Sequence, residues 1–470
     1  MSAKRPGTRP MLAAAMLLPA CGMLALAGAA SAMDLRQAMD KARMHDPTLQ
    51  AARYAFAAGQ ESAKQGTALY LPQVTATGTY NHVNVNTIAT LPTGVPLSPL
   101  VGDASGNVYG FTVTLTQPIY NAAVSSGASQ LRSQARLAAI QFQGARQNLI
   151  LQVAQSYFGV LMAEDSLELA HEQRAAIGQQ LASAQARFKA GKADITDVRD
   201  AQARDQAVAA QEIAAGNNLD VQRQQFTSLV GAPPIALARV PGTFKPTPPH
   251  PDDVQAWINR GRAGNPNVLS AEVQISIAQA NVDKNQVYNR PQLNLFVSYQ
   301  DMRQNGGLPL LVAPDRSRQT VVGLQLNVPL FAGGAYNSEL RQAIDQKFQA
   351  DSQLQATIQN SDVQVRQQFL NIEAAVPQID ALEKTVVAAK SALDATKLGE
   401  KVGVRTTLDV LNAQQQYFST QQNLDTARYQ YLLSRLNLAG LTGTLGMGDV
   451  DAVNSYLSGP HGLFPTERSR

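Results

Sequence analysis

Leu71-Pro72-Gln73-Val74-Thr75-Ala76-Thr77-Gly78-Thr79-Tyr80 and Arg290-Pro291-Gln292-Leu293-Asn294-Leu295-Phe296-Val297-Ser298-Tyr299 are two versions of one segment. Each opens on Pro-Gln, alternates apolar with polar residues and closes on Tyr. Alternation of period two puts one set of side chains on each face of a β-strand. The duplication continues outward from these segments. Thr116-Gln117-Pro118-Ile119-Tyr120 returns as Asn327-Val328-Pro329-Leu330-Phe331, and Leu229-Val230-Gly231 as Leu438-Ala439-Gly440. Gly191, Asp197, Val198, Ala201 and Gln202 return as Gly403, Asp409, Val410, Ala413 and Gln414 with the same internal spacing, and Asp46-Pro47 as Asn265-Pro266. The interval stays near ~210–220 residues, a tandem repeat whose drift is the size of ordinary loop-length differences.

The repeat divides the chain into residues 33–231 and 253–440. Between them, Ala232–Asp252 carries prolines at 233, 234, 241, 246, 248, 249 and 251 and reads as a linker. The tail 441–470, with its Gly, Ser and Pro, is expected to be flexible or laid on the surface.

Each half reads helix, strand, loop, strand, long helix, tip, helix. Phe111, Val113 and Leu115 alternate with Thr112, Thr114 and Thr116; Val322, Leu324, Leu326 and Val328 alternate with Gly323, Gln325 and Asn327. Runs of about ten such residues suit membrane strands, apolar face to lipid and polar face to a lumen. They suit a soluble sandwich equally well. Tyr70, Tyr80, Tyr109, Phe111, Tyr120, Tyr288, Tyr299 and Phe331 fall near strand ends, where an interfacial girdle sits. Residues 82–108 and 302–317 are expected to be outward loops that accept insertions, for instance at Gly106.

The helices tip the balance. Residues 121–189 contain no proline, and Leu149, Val153 and Val160, beside Ile150, Ala154, Phe158 and Leu161, form a wide apolar stripe. At 1.5 Å per residue this segment is roughly 100 Å long. Its copy, about 333–398, has only Pro377 to kink it. Helices of this length indicate a coiled coil or a helical tube. Four membrane strands leave open edges, whose unpaired backbone groups lipid does not tolerate, so several protomers would have to share a barrel. The strand pattern does not choose between two and three protomers.

Of 470 residues, 44% are hydrophobic and 16% charged, and 39 Lys+Arg face 35 Asp+Glu, with no basic stripe for nucleic acid. Lys4, Arg5 and Arg9, an apolar run over 11–28 and Ala30-Ser31-Ala32 make residues 1–32 a secretory signal peptide. A lipoprotein cut before Cys21 is the rival, but Met23–Leu26 extend the apolar run and leave Cys21 inside it. No later stretch approaches ~18 consecutive apolar residues, so no transmembrane helix is expected.

Val402-Gly403-Val404-Arg405-Thr406-Thr407-Leu408-Asp409-Val410-Leu411-Asn412-Ala413, with Ala193-Asp194-Ile195-Thr196-Asp197-Val198, carries a resemblance. Over about 34–440 the chain resembles the TolC-like outer-membrane efflux and secretion family. That resemblance implies a mainly α fold with a membrane β portion: three protomers sharing a 12-stranded β-barrel above a long α-helical barrel in the periplasm. It implies a homotrimer and outer-membrane lipid, a periplasmic adaptor (membrane fusion) protein and an inner-membrane RND or ABC transporter as partners. It implies a channel for multidrug efflux or type I protein secretion. Asp409 and Asn412 would face the pore constriction, with Arg405, Thr196 and Asp197 tying neighbouring helices. Asn412 stands where an acid is more familiar, so a trimer would carry three carboxylates there and not six. Gly191, Lys192, Gly403 and Val404 would meet the adaptor, although Lys192 replaces the usual apolar residue.

Chemistry of other kinds finds little support. His45, His82, His171, His250 and His461 are scattered, and no H-E-x-x-H, nucleophile elbow or P-loop is present. No cofactor is implied. Thr406 and Asp409 read as a helix cap as well as a pore group, and Asp194 and Asp197 are expected to repeat the arrangement. The alternative function is a periplasmic coiled-coil scaffold or adaptor without a membrane barrel; an exported enzyme is the third.

Overall fold

The structure, a computed structural model, describes residues 32–87, 102–308 and 313–457. In chain order the elements are α1 (Leu35–His45), α2 (Pro47–Ala68), β1 (Gln73–Thr87), β2 (Gly102–Tyr120), α3 (Ala122–Lys189) and α4 (Ile195–Val230), then α5 (Val254–Gly264), α6 (Pro266–Gln286), β3 (Gln292–Asn305), β4 (Arg316–Asn327), α7 (Ala335–Lys401), α8 (Thr407–Leu441) and α9 (Met447–Asn454). The duplication is close to residue-for-residue: α3 and α7 have 68 and 67 residues, α4 and α8 have 36 and 35.

Local chemistry starts each repeat the same way. Asp34 caps α1 and Asp253 caps α5; twelve residues later Asp46 and Asn265 end these helices and cap α2 and α6. Pro47 and Pro266 then occupy the first helical position, where a missing N–H costs nothing. Each long helix packs against the two shorter ones of its own repeat, α3 against α2 and α4, α7 against α6 and α8, and α3 also packs against α6 and α8. At 1.5 Å per residue α3 and α7 reach roughly 100 Å. Pro377 lies inside α7, and the helix runs through it.

The strands form one antiparallel sheet in the order β1-β2-β3-β4. The β2–β3 pairing, Leu115 opposite Val297, joins the two repeats. Val74, Leu115, Val297 and Val322 lie in register across one face, with Ala76, Val113, Tyr299 and Thr320 in the next row. Thr75, Thr114 and Ser298 share the other face. The apolar face is bare: Val74, Val322, Leu324 and Leu326 are each more than 60% exposed. Among the described residues, the outer edges of β1 and β4 have no partner strand.

The strands run to 15, 19, 14 and 12 residues and not ten. Residues 82–87, 102–108, 302–305 and 316–317 are therefore strand and not outward loop. Side chains such as Asn86, which donates to Asp103 at 2.7 Å, support pairing beyond the apolar belt. Gly106 is packed beneath the β3–β4 connection. A Cβ there would come within 2.8 Å of Leu308 Cγ, so it is a poor insertion site. Of the remaining loop residues, 306–308 and 313–315 connect β3 to β4, whereas 88–101 and 309–312 lie outside the described residues, as do 1–31 of the expected signal peptide.

The main core lies where α1, α5 and α9 meet the long helices. Tyr157, Phe158, Phe226 and Leu432 are fully buried in it. The Pro-rich segment belongs to this core. Tyr157 donates to Ala238 O at 2.9 Å, Tyr431 donates to Thr247 O at 2.7 Å, and Phe244 packs edge-on against Tyr431 and Tyr456. Arg239 reaches α3, contacting Asp165 at 3.2 Å and Glu168 at 2.9 Å. Burial pushes the Asp165 carboxyl up to about 6, against the opposing effects of the Tyr429 hydroxyl and Arg239. The tail departs from expectation through residue 457. Leu445, Val450 and Val453 are buried in the main core, and Asp451 pairs with Arg36 at 2.5 Å. Gly and Ser content hid these apolar residues, spaced to load one face of α9. Residues 458–470 lie outside the described residues.

Candidate functional site

The two helical hairpins turn by one device. At the end of α3, Lys192 N–H donates to Arg187 O at 2.8 Å and Gly191 N–H to Phe188 O at 2.9 Å. At the end of α7, Val404 N–H donates to Gly399 O at 2.9 Å and Gly403 N–H to Glu400 O at 3.1 Å. Both are Schellman closures, which need a left-handed residue. Gly191 (φ 70°) and Gly403 (φ 82°) supply it. Nothing lies within 4 Å of a Cβ added at either, so the backbone angle and not space demands glycine.

Three residues beyond each glycine the next helix is capped. Thr406 and Asp409 form a reciprocal box: Asp409 N–H donates to Thr406 Oγ1 at 3.1 Å, and Thr406 N–H donates to Asp409 Oδ2 at 2.9 Å. The other tip differs from expectation. Asp194 caps α4 by accepting from Thr196 N–H at 3.3 Å, but Asp197 makes no return bond. A box there would press two carboxylates together, whereas the Thr406 hydroxyl is neutral.

Asp409 is held well below the usual carboxylate range, first by the Thr406 backbone N–H, then by the Thr406 hydroxyl and the nearby Arg405 charge. Arg405 is exposed, and its stem packs on Gly399. Within one chain the structure brings Arg405 to Asp409. Among the described residues it does not bring Arg405 into hydrogen bonding with Thr196 or Asp197. Asn412 Oδ1 accepts from Arg204 at 3.3 Å, and the same guanidinium donates to Gln415 at 2.8 Å, linking α4 to α8. Gly191, Lys192, Gly403 and Val404 are all exposed at the hairpin ends, with Val402 and Val404 at 67% and 75% exposure.

Sequence reasoning missed the strongest tip contact. Glu400, buried at the end of α7, accepts from Gln180 Nε2 at 2.5 Å and from Thr407 Oγ1 at 3.2 Å, and pairs with Arg187 at 3.2 Å. One carboxylate thus holds α3, α7 and α8. Its signal was faint: a lone acid four residues before the tip arginine's neighbour Val404, in a helix already rich in charge. Among the described residues no group of three His, Cys, Asp or Glu is arranged to hold a metal.

Comparison with known proteins agrees with this architecture. The family model described as "Outer membrane efflux protein" matches residues 38–232 and 257–444, one block per repeat. The chain is 31% identical over 464 residues to the outer membrane protein TolC of Escherichia coli (strain K12), covering 96% of this chain and 90% of that protein. It is 29% identical over 440 residues to the alkaline protease secretion protein AprF of Pseudomonas aeruginosa, covering 93% and 90%. Among solved structures, the Campylobacter jejuni CmeC outer membrane channel superposes with a TM-score of 0.74 at 16% identity, covering 90% of each chain. A two-repeat chain with a four-stranded sheet and paired helices about 100 Å long that matches this family model over both repeats belongs to the TolC-like outer membrane efflux protein family, and is a non-enzymatic efflux/secretion channel of the outer membrane.

Proposed function

We propose that three copies of the chain close a twelve-stranded barrel in the outer membrane and a continuous helical duct beneath it. The observation that carries this is the sheet: among the described residues it has four strands, an exposed apolar face and two unpaired edges. In hydrocarbon each unpaired backbone group costs several kcal/mol, so the edges of β1 and β4 must find partners on neighbouring copies. A barrel of eight strands is filled by side chains, whereas twelve begin to leave a lumen. The scaffold alternative has no use for a bare apolar sheet face. Residues 1–32 act as the export signal.

In this reading the duct takes substrate from an inner-membrane RND or ABC transporter through a periplasmic adaptor that docks on the hairpin tips. Exposed Val402 and Val404, beside Gly191, Lys192 and Gly403, offer the adaptor a small apolar knob. Asp409, next to Asn412, lines the constriction as a ring of three carboxylates. Arg405 ties to Thr196 or Asp197 of the adjacent hairpin in the assembled ring, the guanidinium being exposed in the single chain. Likeness to an alkaline protease secretion protein and to a proteases secretion protein of Dickeya chrysanthemi, 28% identical over 432 residues, favours polypeptide export among the cargoes. The test is mass measurement of the detergent-solubilised protein. A trimer is expected; a monomer or dimer overturns the proposal.

A further inference from the structure

Every charged side chain on the described part of the sheet sits at its outer, loop-connected end: Asp103, Asp301, Arg303, Arg316 and Arg318. All five fall on the apolar face by alternation, Asp103 three rows beyond Tyr109, and the other four stand together. Register places Asp301 opposite Arg318 and Arg303 opposite Arg316, two rows above the apolar row of Val297 and Val322. Asp301 is 8% exposed, although it stands on the face that meets lipid. Arg316 Nη2 contacts it at 2.9 Å, Arg318 Nε at 3.2 Å and Arg303 Nε at 3.5 Å. One carboxylate orients three guanidiniums, and two positive charges remain uncompensated. Each guanidinium has five N–H donors, and Asp301 has two oxygens to receive from all three, so most donors stay free. The three arginine side chains remain 42–57% exposed.

The height of the cluster says what it meets. From Tyr120, at the helix-connected end of β2, to Tyr109 is eleven residues, or about 37 Å of strand. At a tilt of about 45° that is roughly 26 Å of height, which matches the ~25 Å apolar band of an outer-membrane barrel. Tyr109 lies opposite Arg303, so Arg303 and Arg316 stand at the outer headgroup level. Beside them a groove of about 520 Å³ is lined by Gly78, Tyr80, Tyr109, Phe111, Asp301 and Arg303. Gly78 opens it: nothing lies within 4 Å of a Cβ added there. An apolar slot flanked by two tyrosines and topped by guanidiniums with donors to spare is complementary to an acyl chain, a sugar ring and a phosphate in that vertical order.

We propose that Arg303, Arg316 and Arg318, fanned out by Asp301, bind the phosphate of a phosphorylated glycolipid in the outer leaflet, one per protomer, with its chain in the groove over Gly78. The proposal needs the membrane barrel and nothing from the helix tips.

The test is native mass spectrometry of the delipidated oligomer in detergent, titrated with bis-phosphorylated lipid A and with the same lipid after phosphatase treatment. The phosphorylated lipid is expected to bind at least about tenfold more tightly, and the preference to disappear in the Asp301→Asn/Arg303→Gln/Arg316→Gln/Arg318→Gln variant. Removing Asp301 with its partners avoids stranding a buried carboxylate. Equal binding of the two lipids by the wild type overturns the proposal, and that comparison decides even if the variant fails to assemble. Displacement of the lipid by millimolar inorganic phosphate also overturns it, since the site would then hold a free anion. Single-channel conductance of the assembled variant should match the wild type, so loss of the lipid preference is separable from failure of the channel.

Discussion

Replacing Glu400 by Ala should open the helix tips. Among the described residues its carboxylate is the acceptor for Gln180 Nε2, at 2.5 Å, and for Thr407 Oγ1, at 3.2 Å, and it pairs with Arg187 at 3.2 Å. Gln180 and Thr407 are 8% and 3% exposed, so water replaces these bonds poorly. A hydrogen bond to a charged group contributes about 1.5–3 kcal/mol. The Arg187 pair is partly exposed and contributes no more than about 1 kcal/mol. Relaxation and entering water offset part of the total, leaving roughly 3 kcal/mol per protomer, at the low end of what breaking a buried pair costs. That is about a hundredfold on the equilibrium between tied and parted hairpins. Glu400→Gln keeps an acceptor for Gln180 and Thr407 and loses the ion pair, so its effect should be about 1 kcal/mol. Planar-bilayer recordings read the result as open fraction and mean conductance, ordered wild type, then Glu400→Gln, then Glu400→Ala. Thermal dissociation of the oligomer should stay unchanged, because the main core lies far up the helices. Wild-type conductance in Glu400→Ala would show that the knot does not hold the duct closed. A Gln variant as open as the Ala variant would show that the ion pair, and not the buried hydrogen bonds, is what matters.

Asp409→Ala should reduce cation preference in the same recordings and Arg405→Ala should raise conductance; unchanged selectivity and conductance would leave Asp409 as a helix cap alone. Asp165 supplies a pH dependence. The native carboxyl keeps its proton up to about 6 and the unfolded one releases it near 3.8, so the native state binds more protons between those values and stability falls as pH rises through them. Thermal dissociation should therefore be higher at pH 5 than at pH 7.5, and Asp165→Asn should flatten the difference and gain about 2 kcal/mol at neutral pH. Val453→Asp puts a charge at a position 2% exposed on α9 and should cost at least about 3 kcal/mol, read as a fall in thermal stability; a neutral outcome would mean the tail does not hold the core.

The repeat, the long helices and the strand faces were legible because each is a periodic signal: period two in Val322–Leu326, a broad apolar stripe in Leu149–Leu161, and a whole half-chain recurring. Ends of strands were less legible. The rows His82–Asn107 and Asn86–Asp103 pair through backbone that carries no apolar alternation, so polar strand looks like loop. The tail failed for the opposite reason. Val450 and Val453 are ordinary apolar residues, and it is the packing of α9 against α1 and α8 that makes them core. Tip chemistry divided along the same line. Gly191, Gly403 and the Thr406–Asp409 box are local, set by backbone angle and a three-residue spacing. Glu400 depends on Gln180, which lies 220 positions away, and no local pattern reports such a partner.

Capping and pore lining compete as explanations of Asp409 only if the carboxylate can do one thing. The box uses one lone-pair direction of Oδ2 for the Thr406 N–H, and the side chain is thereby fixed in one rotamer. A carboxylate has about four such directions, so most of its charge stays presented to its surroundings. The same N–H and hydroxyl hold its proton affinity down, which keeps the group ionised where an unsupported trio of carboxylates in a narrow ring would tend to take up a proton. Asn412, bonded to Arg204, adds no charge to that ring. The cap is then the means by which a charge near a helix start is aimed and kept. Thr406→Ala tests the link: it leaves Asp409 in place but removes the hydroxyl, so cation preference should weaken and titrate at a higher pH than in the wild type. A selectivity-versus-pH curve identical to the wild type would separate the two roles after all.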